Sequence, residues 1–402
     1  MTKLKDVLER DPTQERLANN GQARLVAEES HQKVQQELRE ELKSFVCEGQ
    51  YKDGIIRILQ SVVDGGTNLP CAWVSGFYGS GKSHLMKMLW HLWMNTQFDD
   101  GQTARDLVPE LPEDVSVLLR EVDTLGKRTG GLVAAAGSMP SGDTEAVRIT
   151  VLSIIFQGAG LPAEYAQGSF FLWLHRKGKL EAIKAAVARC GEDFDQELED
   201  LYASPVLAEA IAEEMPDVAG GAQEARSLIR TKFPRPKGDI TTQEFLNLSR
   251  DALKSAGRDG QIPQTLVVLD EVQQYIGESQ DRSVQISEVA EALSKQMQGR
   301  VMLVGAGQTA LNAAPNLQRL IARFTVLVAL RDVDVEKVTR KVLLRKKASA
   351  VGEVRQALDT YAAEVSRQLS GTKIKERVED RETIVDDYPV LPVRRRFFEE
   401  CF

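Results

Sequence analysis

The chain has 402 residues, 42% hydrophobic and 27% charged, with 51 Lys and Arg against 59 Asp and Glu for a formal net charge of -8. That length holds two or three domains, or one large α/β domain with an insertion, and the acidic balance argues against a bulk nucleic-acid coat while leaving local basic patches open. The longest wholly apolar stretch, Val326 to Leu330, is far too short to cross a bilayer, so no membrane span is expected.

Met1 to Arg10 mixes both charge signs and lacks an apolar run, so it does not read as a secretory signal, and a cytoplasmic protein is expected. Cys47, Cys71, Cys190 and Cys401 show no C-x-x-C spacing, and His31, His84, His91 and His175 form no metal pattern with them. Neither disulfides nor zinc are expected. Residues 1 to about 50 read as polar helix, broken by turn signals at Asp11-Pro12-Thr13 and Asn19-Asn20-Gly21. Val34, Leu38, Leu42 and Phe45 make a narrow apolar stripe that suits core packing better than a partner-binding arm. Tyr51 to Val63 reads as a second helix, followed by a loop from Asp64 to Pro70.

The stretch Gly76-Phe77-Tyr78-Gly79-Ser80-Gly81-Lys82-Ser83 matches G-x-x-x-x-G-K-[ST] at every fixed position. It lies between a short apolar run, Cys71 to Val74, and a segment in which Leu85, Met88, Leu89, Leu92 and Trp93 recur at helical spacing. Strand, glycine-rich turn and helix are the context of a phosphate-binding loop. Backbone N–H groups of Gly76, Tyr78, Gly79, Ser80, Gly81 and His84, with the positive helix end, face the phosphates; Lys82 reaches the β and γ groups and the Ser83 hydroxyl ligates Mg²⁺. A chance match in a chain this long arises at a rate on the order of a per cent before context is counted.

Beyond it, Phe98 to Pro112 reads as an acidic loop, Val115 to Leu125 as helix, and Leu132 to Ala136 as the second strand; Thr144 to Gln157 leaves helix and strand both open. Gly158 to about Gly260 reads as a helical insertion, with helices at 179–190, 194–202, 206–215 and 245–256. Its aromatic cluster of Tyr165, Phe170, Phe171 and Trp173 favours core packing over a binding surface.

Leu266-Val267-Val268-Leu269-Asp270-Glu271 is the second diagnostic stretch: a doubly buried strand ending in two carboxylates. Ligands bind at that end of an open α/β sheet. Asp270 is placed to hold Mg²⁺ through water and Glu271 to polarise the water that attacks a γ-phosphate. The bland alternative is a solvated acidic turn. A helix over 284–298 leads to a strand at 301–306, whose polar end offers Gln308 first and Thr309 second as a γ-phosphate sensor, helix capping being the competing role of Thr309. Arg319 and Arg323, four apart, are expected to share one helix face before a last strand at 325–330, where an arginine can stabilise transition-state charge in a neighbouring subunit. An ordinary surface pair is the alternative.

Residues 332–347 and 348–370 read as helix, with basic residues from Lys337 to Lys347 whose position also suits a helix C-terminus. Tyr388 to Pro392 turns the chain, and residues 393–402 open an amphipathic helix inside which the sequence stops, as a truncated chain would.

In this order the motifs resemble the AAA+ (ASCE) branch of P-loop NTPases. Within it, the sequences Trp73 to His84, Gly305 to Gln308, Ala322 to Phe324 and 388 to 398 resemble the BrxC/PglY family of BREX phage-defence systems. The resemblance implies an α/β fold with a parallel five-stranded sheet of order 5-1-4-3-2 flanked by helices. It also implies an N-terminal helical segment at 1-50, an ATPase core at 51-335 with the insertion at 158-260, and the start of a helical lid at 336-402. Catalytic roles fall to Lys82, Glu271, Gln308, Arg323 and Arg319, Mg²⁺ ligation to Ser83 and Asp270. ATP and Mg²⁺ are the implied cofactors. The implied partners are further copies of the chain and other BREX-type proteins including a DNA methyltransferase, with DNA reached indirectly or through the assembly. No lid arginine is evident, since Arg394, Arg395 and Arg396 lie at the very end. The alternatives are a nucleotide-binding scaffold that docks partners with little hydrolysis, and a small-molecule kinase, for which no acceptor site is legible.

Overall fold

The computed structural model describes residues 3–11, 31–77, 79–140, 146–308, 315–320, 322–330, 339–372 and 376–401. Tyr78, Thr309, the turn signals after Asp11, residues 141–145, Ile321 and the 331–338 part of the expected helix lie outside this set.

Five strands form one parallel sheet: β1 (Cys71–Ser75), β2 (Leu132–Ser138), β3 (Gln264–Asp270), β4 (Val301–Gly307) and β5 (Phe324–Ala329). Their spatial order is β2-β3-β4-β1-β5, which is the expected 5-1-4-3-2. Register is set by Val74 opposite both Ala306 and Val328, and by Ser138 opposite Asp270. β1, β3 and β4 are buried along their whole length, as strands covered on both faces must be. β5 is the edge and alternates instead, with Leu327 48% exposed. Its outer carbonyl at Leu327 accepts from Arg57 Nη1 at 3.0 Å, which blunts the free edge.

Helices cover both faces. On one lie α1 (Leu4–Val7) excepted, α2 (His31–Lys43), α3 (Gly49–Val63), α4 (Lys82–Met94), α5 (Ala104–Leu107) and α6 (Glu113–Arg128), whose apolar residues share a core with Ala72, Val74, Val268 and Val304. On the other lie α7 (Val147–Gly158), α13 (Thr242–Ala256), α14 (Val272–Ile276) and α15 (Gln280–Gln296) around Trp73, Leu269 and Leu303. Small residues permit close approach. A Cβ on Gly158 of α7 would stand 2.4 Å from that of Ala135 in β2, and one on Gly54 of α3 would stand 2.6 Å from Val328.

Between α7 and α13, α8 (Tyr165–Arg176), α9 (Leu180–Arg189), α10 (Phe194–Glu199), α11 (Pro205–Glu214) and α12 (Ala222–Lys232) form a core of their own, running from Ala166 to Phe233. Phe245, Leu246 and Leu253 of α13 join the core of α7 and α15 and not that of this excursion. Asp239 closes it: its carboxylate accepts from the backbone N–H of Arg148 (3.0 Å) and Ile149 (3.2 Å) and from Arg148 Nη1 (2.9 Å). Phe170 and Trp173 are buried in the excursion core, as aromatic packing predicts.

Two readings need correction. The stretch 98–112 contains α5, started by Thr103 and Asp106 in a capping box. Helices at 165–176 and 222–232 join those expected. The tract 339–347 is no regular helix: a π-type turn at Thr339–Leu343 gives way to a β-bridge between Lys346 and Leu8. Its basic residues are engaged by acids, Arg340 with Asp387 at 2.6 Å, Lys341 with Glu48, and Arg345 with Glu9 at 3.1 Å. Helices at Val351–Leu369, Asp380–Asp387 and Pro392–Cys401 follow. Arg396 there pairs with Asp380 at 2.5 Å.

No helix among the described residues is long and apolar enough to cross a membrane. Burial pushes the thiols of Cys47 and Cys71 up to about 12, whereas Cys190 is exposed. At pH 8 a thiol of pKa about 12 is roughly one part in ten thousand thiolate. Iodoacetamide is therefore expected to alkylate Cys190 in the native protein and to spare Cys47 and Cys71 until denaturant is added; peptide mapping checks it.

Candidate functional site

The loop between β1 and α4 owes its shape to three glycines. Gly79 and Gly81 have φ of 85° and 82°, in the left-handed region, and a Cβ on Gly76 would lie 2.4 Å from Ser80 Oγ. Lys82, the first residue of α4, donates from Nζ to the carbonyls of Gly76 (2.7 Å) and Phe77 (2.9 Å), holding the loop closed on itself. Burial pulls its ammonium below the ordinary lysine value, while Asp270 pushes the other way. Ser80 Oγ is buried with no hydrogen-bond partner among the described residues.

Asp270 ends β3, is 6% exposed, and reaches across to α4: Ser83 Oγ donates to its Oδ2 at 2.5 Å. Its Oδ1 accepts from the backbone N–H of Glu271 at 2.8 Å, and its carbonyl from Met139 N at 2.9 Å. Both carboxylate oxygens are thus oriented. Glu271 takes the left-handed conformation, φ 56° and ψ 23°, just before α14. A non-glycine residue there costs on the order of 1 kcal/mol. The turn leaves its side chain exposed beside the loop, and burial first, then the charge of Asp270, raises its pKa above the ordinary glutamate value.

β4 lies between β1 and β3, so Gln308, the exposed residue just past β4, emerges between the β1–α4 loop and Asp270. Gly76 N donates to Gly307 O at 3.3 Å, which ties the loop to that strand end. A Cβ on Gly307 would meet the Trp73 ring at 2.3 Å and Gln273 Oε1 at 2.9 Å.

Arg319 and Arg323 are not brought to this site. They do not share a helix face: Pro315–Leu320 is a 3-10 helix that ends before the turn in which Arg323 N bonds Leu320 O. Arg323 precedes β5, level with Cys71 at the start of β1. Five strand residues at ~3.3 Å each put it roughly 16 Å from the P-loop end. Its Nη2 bonds Glu291 at 2.5 Å, and Arg319 is exposed. Any role at a P-loop would be on another copy.

Two contacts have no sequence signature. Tyr51, on the first turn of α3, donates its hydroxyl to Ser80 O at 2.9 Å. The ring of His84 lies edge-to-face with Phe45 at 5.5 Å, and burial lowers its pKa, so it is a packing group at neutral pH. Helical periodicity marks Tyr51 and Phe45 only as apolar or aromatic positions.

The donor set suits a magnesium nucleotide. A hydroxyl and a carboxylate are hard oxygen ligands, and Mg²⁺ commonly takes one or two protein oxygens, completing its shell with phosphates and water. The half-buried Lys82 and the unpartnered Ser80 hydroxyl supply donors toward an anion. No protein-family model matches the chain.

A Cβ on Gly81 would lie 2.0 Å from the Tyr51 hydroxyl. Gly81→Ala is expected to lower stability by ~1–3 kcal/mol in chemical denaturation, through this clash and the left-handed φ. Adding Tyr51→Ala should relieve the clash portion only, so the two substitutions are non-additive.

Proposed function

We propose that this chain is an ATP-binding and ATP-hydrolysing AAA+ protein that couples nucleotide to assembly and conformational change. The observation that carries the reading is the 2.5 Å contact between Ser83 Oγ and Asp270 Oδ2 at the P-loop end of a sheet ordered 5-1-4-3-2.

On binding, Lys82 exchanges its two loop carbonyls for phosphate oxygens, and the amides of Gly79 to Ser83 face the same anion. Ser83 and Asp270 are the residues that would hold Mg²⁺, which would supply neutralisation of phosphate charge when bound. Glu271 accepts a proton from the attacking water as the water oxygen bonds to the γ-phosphorus and the β–γ bridge bond breaks, leaving ADP and phosphate. Its raised pKa makes it a better base than an ordinary glutamate. Gln308 donates toward the γ-phosphate from the intervening strand end. Arg323 or Arg319 acts in trans, Arg323 after release from Glu291.

Within this reading the chain belongs to a cytoplasmic BREX-like phage-defence assembly, working beside a DNA methyltransferase. The sequence similarity at Trp73 to His84, Gly305 to Gln308, Ala322 to Phe324 and 388 to 398 is what supports it.

Glu271→Gln is expected to retain ATP binding, to lower phosphate release by ~10²-fold or more, and to give a larger ATP-dependent mass in light scattering. Lys82→Ala should abolish both binding and the mass change. Turnover in the wild type that neither substitution alters overturns the reading. ATP binding with no turnover in the wild type identifies a nucleotide-binding scaffold instead. The ionised Glu271 is the base, so at saturating ATP kcat should fall as pH drops through its raised pKa, with half-loss above the ordinary glutamate value of 4.5.

A further inference from the structure

We propose that the end of the sheet opposite the P-loop docks the phosphate backbone of double-stranded DNA. The starts of β2, β3 and β4 are adjacent there, and each carries cations: Lys127 and Arg128 at the end of α6, Lys254 in the last turn of α13 and Arg258 just after it, and Arg300 just before β4. Backbone bonds hold these turns together. Arg258 N donates to Gly130 O at 2.8 Å, and Thr265 N to Arg300 O at 2.7 Å. The Arg258 guanidinium lies over Gly131, with Nε 3.8 Å from where a Cβ would stand. Neighbouring strands are ~4.8 Å apart, so the row is about 10 Å wide.

The cations are uncommitted. Lys127, Arg128, Lys254 and Arg258 are exposed and Arg300 half-buried, and none of the five forms an ion pair among the described residues. This contrasts with the basic tract at 340–345, whose charges are matched by acids. Around the row the carboxylates are largely spent: Glu291 on Lys295 and Arg323, Asp123 on Arg105, Asp251 on Arg176. Asp259, in the Arg258–Gly260 turn, is the acid within the row. In a chain of net charge -8, five free cations on one face create a local attraction for a polyanion.

What the face lacks narrows the partner. No aromatic residue occurs in 123–131, 250–264 or 296–301, so there is no platform for stacking unpaired bases. Thr129 is buried, and its hydroxyl and that of Ser255 spend their protons on Leu125 O and Ala252 O, at 2.9 and 2.8 Å, so neither donates to a ribose 2′-hydroxyl. Charge alone remains, which fits sequence-independent contact with duplex DNA.

Fluorescence anisotropy with a labelled 30-base-pair DNA duplex of arbitrary sequence tests this on the full chain. Contact with about four phosphates predicts a loss of roughly a hundredfold in affinity between 50 and 200 mM salt. Arg258→Ser/Arg300→Ser and, independently, the exposed pair Lys127→Ser/Arg128→Ser should each weaken binding about tenfold with unchanged circular dichroism. Lys177→Ser/Lys237→Ser, an equal charge change elsewhere, should leave it within twofold, as should Lys82→Ala, since the face is separate from the P-loop. The proposal is overturned by no binding at 50 mM salt, by equal loss in the control pair, or by equal or tighter binding of single-stranded DNA, duplex RNA or phosphatidylserine vesicles.

Discussion

A single short hydrogen bond, from Ser83 to Asp270, joins points 187 residues apart and shows how the rest of the structure is arranged. It exists because β4 enters the sheet between β1 and β3, spacing the β1–α4 loop and the Asp270 strand end by one strand and leaving Gln308 between them. In a parallel sheet all these strand ends emerge on one side, so loops far apart in sequence share one crevice. The packing that permits this relies on small residues. Alanines in β2 let α7 approach, and Gly305 and Gly307 leave room for the Trp73 ring beneath the crevice.

Burial and the charge of Asp270 act against each other at one residue of that crevice and together at another. Partial desolvation favours neutral forms of Lys82 and Glu271 alike, lowering one pKa and raising the other. The charge of Asp270 opposes burial at Lys82 and reinforces it at Glu271, which is the expected sign for an anion beside a cation and beside another anion. Lys82 keeps its ammonium solvated by loop carbonyls, a set of contacts that an incoming anion can replace. Tyr51 braces the other side of the loop, so that the turn is held by α3 as well as by its own glycines.

The chain ends are joined by a different kind of contact. Val7 packs with Ala350 and Val354, Leu8 bridges Lys346, and Glu9 N bonds Arg345 O, with Arg340–Asp387 and Arg396–Asp380 pairs around them. These pairs are mostly desolvated, so losing one partner would leave a costly unpaired charge. Charge in the C-terminal part thus serves internal cohesion, while the face opposite the P-loop carries the uncommitted cations.

Much of this was legible in local pattern. The glycines and Lys82 of the β1–α4 loop, the doubly apolar runs of β1, β3 and β4, and the acidic end of β3 are each written in a few consecutive residues, because left-handed backbone and two-sided burial constrain neighbouring positions directly. The segment 147–158 was not decidable, since apolar residues on every side suit a buried helix and a buried strand equally. The helix at 222–232, the irregular tract at 339–347 and the fate of Arg319 and Arg323 escaped because helical spacing says nothing about which turn a chain breaks. The amino-acid sequence by itself determined the loop chemistry and the strands that frame it, through short-range sterics and hydrophobic pattern. Only the tertiary structure decided that Tyr51 braces the loop, that Arg323 stands at the start of β5 on Glu291, and that α13 packs on α7 and α15, because each depends on contacts between residues distant along the chain.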